Sequence, residues 1–190
     1  MDFKELQEKC ALCRKCALGE TKINSVLDRG DRHAKMMFVG EAPGQQEDEQ
    51  GVPFVGLAGQ LFDKYLEAVG IDRDEIYVCN ILKCRPPQNR DPLPEEQEAC
   101  MPYLREQVRL VKPKMIVCLG RIAAMRLISP DFKITRDHGK FYKKGDFLMC
   151  ALYHPSALLR DASKKEDNLR DMLALKEEYD KCKKEGNMEK

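Results

Sequence analysis

Glu41, Asn80 and His154 are the side chains best placed to do chemistry in this sequence, because each stands where an apolar run gives way to polar residues. Glu41 lies in Gly40-Glu41-Ala42-Pro43-Gly44, directly after KMMFV at 35–39. Asn80 follows IYVC at 76–79. His154 opens His154-Pro155-Ser156-Ala157-Leu158-Leu159-Arg160, after FLMCALY at 147–153. A carboxylate accepts a proton or faces a developing cation, and an imidazole donates to a developing anion. A primary amide reads a ligand edge with both acceptor and donors. Polar loops leaving the ends of buried strands meet at one edge of an α/β sheet, where such folds bind ligands. The three residues point to a small polar ligand read by hydrogen bonds beside acid–base chemistry.

Thiols make a second constellation. Cys10, Cys13 and Cys16 form a C-x2-C-x2-C run, and Cys84 and Cys100 are separated by 15 residues. Two close cysteines and two distant ones supply four thiolates to a tetrahedral zinc ion or to an iron–sulfur cluster; spacing alone does not choose. Nor does it decide whether Cys10 is a ligand or a neighbour. Cys84 lies four residues after Asn80. A metal tie there would fix the proline-rich loop and hold the N-terminal segment against it, so the centre is expected to be structural. Cys79, Cys118 and Cys150 fall in apolar runs and read as core thiols, Cys182 as a surface thiol.

The elements that must position these groups follow from periodicity and breakers. A short helix is expected over 3–16, then loop over 21–35, a strand at 35–39 and a long loop over 41–56. Leu57, Leu61, Phe62, Tyr65, Leu66 and Val69 have helical spacing, with Gly70 as the cap. A second strand covers 76–82, and four prolines keep 83–94 irregular. A helix over 95–110, a strand at 115–119 and a helix over 121–128 follow. A hairpin pairs 141–143 with 147–153 around Gly145-Asp146. The last helix begins at 163, with Leu169, Met172, Leu173 and Leu175 as its apolar face, and frays over the final ten residues. Strands alternating with helices give an α/β fold: a single-domain, three-layer sandwich over 1–190 with a mainly parallel central sheet flanked by helices. Residues 1–34 form its metal-binding segment and 163–190 its C-terminal helix and tail.

With 33 basic and 32 acidic side chains the net charge is +1, so global charge does not announce nucleic acid. A DNA contact must rest on a local patch, for which Lys83, Arg85 and Arg90 are candidates. The start, MDFKELQEKC, lacks the apolar segment of a signal peptide, and no apolar run reaches the roughly 18 residues of a membrane span. A cytoplasmic protein without membrane contact is expected, and nine cysteines there favour metal or buried thiols over disulfides. His33 and His138 lie outside any motif. A redox carrier leaves the three loop motifs unexplained; a zinc-stabilised nucleic-acid-binding module without catalysis stays open, to be separated by metal analysis and an activity assay. A nucleotide-binding reading of 40–44 fails because no Gly-Lys-Ser/Thr follows.

Six features occur together in this order: Cys13-x2-Cys16, GEAPGQQED at 40–48, GVPFVGLAGQL at 51–61, NILKCRPPQNR at 80–90, Cys100, and HPSALLR at 154–160. Each is weak alone; jointly the sequence resembles the family 4 uracil-DNA glycosylases, the iron–sulfur branch of the uracil-DNA glycosylase superfamily, from about Cys13 to Arg160. The resemblance implies a monofunctional hydrolase that removes uracil from deaminated DNA, with single- or double-stranded DNA as the partner; nothing in the sequence demands more than a monomer, which is the expected state. It implies a [4Fe-4S] cluster on Cys13, Cys16, Cys84 and Cys100, with Cys13 and Cys16 preferred to Cys10 because Leu18 follows at the family's offset. Phe54 would lie on the uracil face, and Asn80 would accept from N3–H and donate to O4. His154 would donate near O2. Glu41 would face the sugar and the attacking water, and Glu47 would crowd C5 against the methyl group of thymine. Leu158 and Leu159, in a loop over 157–160, would fill the space left by the flipped base. Arg160, Arg85, Lys83 and Arg90 would hold phosphates. A related branch that traps its product carries a basic KRRIH insert; residues 84–100 run through without it.

Overall fold

The computed structural model describes residues 1–188. In chain order the elements are α1 (Phe3–Ala11), α2 (Leu18–Thr21), β1 (Arg29–Gly30), β2 (Met36–Gly40), α3 (Gln45–Gln50), α4 (Leu57–Val69), β3 (Ile76–Asn80), α5 (Pro94–Val111), β4 (Met115–Leu119), α6 (Arg121–Leu127), α7 (Ile134–Asp137), β5 (Phe141–Lys144), β6 (Phe147–Leu152), α8 (Pro155–Arg160) and α9 (Lys165–Met188). The apolar runs become strands buried on both faces, as a parallel sheet under two helical layers requires.

The sheet order is β1-β3-β2-β4-β6-β5. β3, β2, β4 and β6 run parallel, while β1 and β5 close the two edges antiparallel. Alternation along each strand divides the core. Met37, Val39, Tyr77, Cys79, Ile116 and Cys118 face α5 and α6. Met36, Phe38, Ile76, Val78, Met115 and Val117 face α4 and α9. This is the expected three-layer α/β arrangement. The chain goes to one side of β2 to lay down β3 and to its other side for β4. That reversal opens a crevice at the strands' carboxyl ends.

Several local expectations need correction. Residues 41–56 are not all loop: α3 forms inside them and ends at Gly51, whose φ of +73° suits a left-handed helix cap. β1 was unreadable because two residues carry no period. The first helix stops at Ala11, leaving the cysteine turn irregular. Residues 157–160 belong to α8, which Pro155 starts at the position where its missing N–H costs nothing. In α9 the buried stripe is Asn168, Met172, Leu175 and Tyr179; Leu169 and Leu173 are 37% and 48% exposed. Each lies one residue beyond the stripe, about 100° round the helix. Cys182 continues that stripe and packs against the same core, so it is no plain surface thiol. The helix carries on through the stretch expected to fray, as far as Met188; residues 189–190 lie outside the described residues. Among the described residues no helix is long and apolar enough to cross a membrane.

Candidate active site and cysteine centre

The carboxyl ends of β2, β3, β4 and β6 open into one cleft of about 440 Å³. Its walls bring Glu41, Glu47, Phe54, Asn80, His154 and Arg160 together, as the sequence suggested. The strand pairing extends past β2 and β3: Ile81 N–H donates to the Gly40 carbonyl (2.9 Å) and Leu82 N–H to that of Glu41 (3.0 Å). The polar groups therefore leave a braced backbone.

Asn80 is 2% exposed and its Oδ1 is buried without a hydrogen-bond partner among the described residues. A buried acceptor left unpaired is costly, so it marks a place where a ligand donor belongs. A Cβ on Gly40 would stand 2.4 Å from this Oδ1 and 2.8 Å from Phe54 Cζ. Glycine at 40 therefore makes the room that Asn80 and Phe54 share. Phe54 takes φ +56°, a conformation non-glycine residues rarely adopt. Its ring lies 5.5 Å from that of Phe62 and 5.9 Å from the His154 ring, tilted 33° to the latter.

Glu47 holds Phe54 in place. Its Oε1 accepts from Val55 N–H (3.0 Å) and Gly56 N–H (2.8 Å), closing the loop onto the start of α4. No spacing or motif signalled this brace.

His154 caps α8. Its Nδ1 accepts from Ser156 N–H (3.1 Å) and lies 2.7 Å from Ser156 Oγ. The acceptor role of Nδ1 puts the ring proton on Nε2. Burial, and then Arg160, pull its pKa down to about 4, so the ring is neutral at pH 7. At Gly120, where φ is +92°, a Cβ would lie 2.9 Å from His154 Cβ. Glu41 moves the other way. Burial first and Asp91 second push it up to about 7, against Arg121 and Arg160.

The DNA-facing expectations change. Leu158 is 1% exposed and turned inward where α8 packs on α4, so it is not a wedge; Leu159 is 49% exposed. The short helix sends consecutive residues to different sides. Lys83 is buried at 1% exposure, with Nζ donating to the Asn80 carbonyl. Arg90 is bound to Glu96 through two bonds of 2.9 and 2.6 Å. Arg85 Nε donates to Asn89 Oδ1 (2.7 Å). Lys83 therefore drops out of the expected patch, whereas Arg90 lines the cleft. The basic groups lining the cleft include Arg121, Arg160 and Lys164, and Arg121 pairs with Asp91. Asp91 and Arg121 are 30 residues apart in sequence, and no motif announced them. His138 pairs with Asp171 (2.6 Å) and stacks 4.7 Å from Tyr153, which joins the cleft wall.

The cysteines meet on the side of the sheet covered by α5. Lys22 Nζ gathers the end of α1, donating to the carbonyls of Ala11 (2.8 Å), Cys10 (3.2 Å) and Cys13 (3.4 Å). Cys84 and Cys100 are both 5% exposed, and Cys16 packs against the same core. Burial pushes the Cys84 thiol up to about 12, and Cys100, Cys10 and Cys16 add to the rise. Burial also raises Cys100, with Cys16 and Cys13 among the groups that add to it. Cys10 is 1% exposed in a separate apolar group with Leu6, Leu27 and Tyr103. Cys79, Cys118 and Cys150 are core thiols, as expected. Among the described residues no three His, Cys, Asp or Glu side chains are gathered so as to hold a metal ion.

Comparison with known proteins agrees with this geometry. Residues 27–175 match the model of the uracil DNA glycosylase superfamily. The chain is 44% identical over 173 residues to a type-4 uracil-DNA glycosylase of Archaeoglobus fulgidus, covering 87% of each chain. It is 39% identical over 160 residues to a type-4 uracil-DNA glycosylase of Thermotoga maritima, covering 83% of each. To a type-5 uracil-DNA glycosylase of Pyrobaculum aerophilum it is 33% identical over 146 residues, covering 68% of this chain and 64% of that one. A strand-end cleft with an unanswered amide and a neutral histidine is thus accompanied by sequence identity over most of the chain, and the chain belongs to the uracil-DNA glycosylase superfamily, with the type-4 enzymes.

Proposed function

We propose that the protein is a monofunctional uracil-DNA glycosylase, which hydrolyses the N-glycosidic bond of uracil in DNA, leaves an abasic site and so begins repair of deaminated cytosine. The observation that carries this reading is the buried, unpartnered Oδ1 of Asn80 beside Phe54 and His154. Uracil offers N3–H to that oxygen and O4 to the amide N–H; cytosine offers the reverse pattern. The base reaches the cleft by leaving the stack, with Phe54 on its face. Glu47 serves uracil binding by fixing the 54–56 loop.

Each group has one task in the reaction. His154, neutral with its proton on Nε2, donates toward O2 and stabilises the negative charge that spreads over the base as the bond breaks. The electron pair of the C1′–N1 bond leaves with uracil. A water oxygen bonds to C1′, and Glu41 orients that water and takes up its proton. A carboxyl group with its pKa near 7 suits proton transfer near neutral pH. Its negative charge also faces the cationic sugar. Arg160, Arg121 and Lys164 hold phosphates at the rim, with Arg85 further out, and Leu159 enters the space the base leaves.

Cys13, Cys16, Cys84 and Cys100 hold a structural [4Fe-4S] cluster. The donor set is chemically suited to one: of the four thiols, Cys84 and Cys100 are deeply buried and burial holds them toward their protonated forms, which a bound metal would reverse. When bound, the cluster ties the N-terminal segment to the loop after β3. The protein acts as a monomer, in the cytoplasm.

Incubation with an oligonucleotide containing one uracil, followed by alkali, tests the reading. Strand cleavage by the parent is expected, with loss of roughly 10²–10³-fold in Asn80→Ala, as when a preorganised donor or acceptor is removed. No cleavage by iron-loaded parent overturns it.

A further inference from the structure

Three carboxylates line the cleft: Glu41, Glu47 and Asp91. Glu41 has a place in the chemistry, and Glu47 braces the Phe54 loop. Asp91 has neither task, and a negative charge beside a DNA backbone repels it. Its carboxylate is bound to Arg121. Arg90, Arg121 and Lys164 on the cleft wall are each paired with an acid. Glu96 and Asp161, which hold Arg90 and Lys164, do not line the cleft; Arg121 alone of the three is held by a carboxylate that does. Arg160, on the same wall, has no ion pair among the described residues.

Both ends of the Asp91–Arg121 pair stand on braced backbone. Arg90 grips Glu96 and also donates to the Asp91 carbonyl (3.0 Å), while the Glu96 carboxylate accepts from Leu93 N–H (2.8 Å). Glu96 is buried, so the loop is tied to the start of α5 on either side of Asp91. Arg121 begins α6 directly after Gly120, whose backbone passes too close to His154 to admit a side chain. The two charged side chains themselves are 52% and 59% exposed. Exposed pairs contribute little, because water and salt screen them. The pair is well placed and cheaply opened. A phosphodiester offers the guanidinium the same two-oxygen face as a carboxylate.

We propose that Asp91 holds the place of a DNA phosphate on Arg121 in the free protein, and that the two anions exchange when uracil-containing DNA enters the cleft. Asp91 is thus a positioning residue: it keeps Arg121 aimed along the cleft and yields it only to another anion. The inference rests on the glycosylase reading above. On exchange Asp91 returns to water, and the counterions of the incoming phosphate are released.

An oligonucleotide carrying 2′-fluoro-2′-deoxyuridine reads binding without turnover, because fluorine at C2′ disfavours a cationic sugar. Its dissociation constant is measured over a salt series for the parent, Asp91→Asn, Arg121→Ala and the double variant, with thermal melting as a folding control. Arg121→Ala is expected to weaken binding and to lower the salt slope by about 1, as loss of one phosphate contact does. Asp91→Asn is expected to tighten binding by about two- to fivefold, the worth of an exposed ion pair. On the Arg121→Ala background that gain is expected to vanish, because no arginine remains to be freed. An unchanged salt slope in Arg121→Ala shows a strap that only braces the walls, and overturns the exchange. So does an absent gain in Asp91→Asn, or an equal gain with and without Arg121, which is simple repulsion by the carboxylate. If Arg121→Ala does not fold, Arg121→Gln takes its place in the cycle. A parent that excises no uracil from the unfluorinated strand defeats the glycosylase reading instead, whereas excision by the parent beside an unchanged slope defeats the exchange alone.

Discussion

The cleft and the cysteine side meet at residues 80–84, yet burial leaves them in opposite conditions. In the cleft it drives Glu41 up to about 7 and His154 down to about 4. Both groups thereby reach protonation states useful near neutral pH, and hydrogen bonds within the chain hold His154. Among the thiols the same effect drives Cys84 to about 12 and Cys10 to about 11, far from the thiolate form. The cleft is organised by the polypeptide, whereas on the proposed cluster reading the cysteine side would be completed by positive charge from a metal. The contrast teaches that one cost, desolvation, brings a carboxyl and an imidazole to useful protonation states in the cleft and keeps buried thiols protonated on the other side.

His154 gives the largest test of the cleft half. Replacing it with Ala removes the Nε2 donor and is expected to slow single-turnover excision by ~10²–10³-fold. Ser156→Ala keeps the backbone N–H that fixes the tautomer and is expected to lose much less. Equal losses in the two variants would mean that the histidine works through the α8 cap and not at the base.

Glu41 gives the next. Its carboxylate is the working form, so excision is expected to rise with pH through about 7 and level off above. Below that point the rate falls by up to about tenfold per pH unit. His154 stays neutral down to about 4 and adds no second limb in this range. The stability sign is opposite. A carboxyl group raised in the folded state binds its proton more tightly there, so stability is lost as pH rises from its ordinary range through about 7. Glu41→Gln should therefore abolish the rise in rate and raise the melting temperature at pH 8 but not at pH 4. A parental pH–rate profile flat from 5 to 8 breaks the assignment.

Cys84→Ser sharpens the contrast from the other side. It is expected to lose iron and to melt roughly 5 °C or more below the parent. The protein that remains folded should keep a pH midpoint near 7, because the causes of the Glu41 shift are burial, Asp91, Arg121 and Arg160, all in the cleft. A shifted midpoint would show that the cluster organises the cleft electrostatically as well as mechanically.

What was legible in sequence divides along the same line. Gly40, Glu41, Asn80 and His154 could be read because each closes a buried run, and a parallel sheet places such ends together. The cysteine spacing was equally plain. Burial of a charged residue was not: Lys83 stands among prolines and arginines and reads as a phosphate contact, and only the fold shows it buried with Nζ on the Asn80 carbonyl. Nor did spacing reveal the Asp91–Arg121 pair, which forms between the loop before α5 and the first residue of α6. Glu47 was expected against the base, but its carboxylate answers the N–H groups of Val55 and Gly56. Single helical turns were missed for a different reason. α3 and α8 have six residues each, too few for a period to emerge. Missing α8 is what put Leu158 and Leu159 on the same side.

That pair gives the smallest expected effect. Leu159 is half exposed beside the cleft and Leu158 is buried, so one leucine can enter DNA and the other supports the helix that carries it. Filling the gap left by a flipped base matters only where a stack has been opened, that is, in a duplex. Leu159→Ala is therefore expected to slow excision from double-stranded DNA by roughly three- to tenfold and to leave single-stranded substrate near parental rates. Leu158→Ala should instead lower the melting temperature, as truncation of a buried leucine does, by about 2–5 kcal/mol of stability. Equal loss on both substrates with Leu159→Ala would place this residue among the base contacts. Loss on duplex with Leu158→Ala at unchanged stability would mean that α8 turns over when DNA binds.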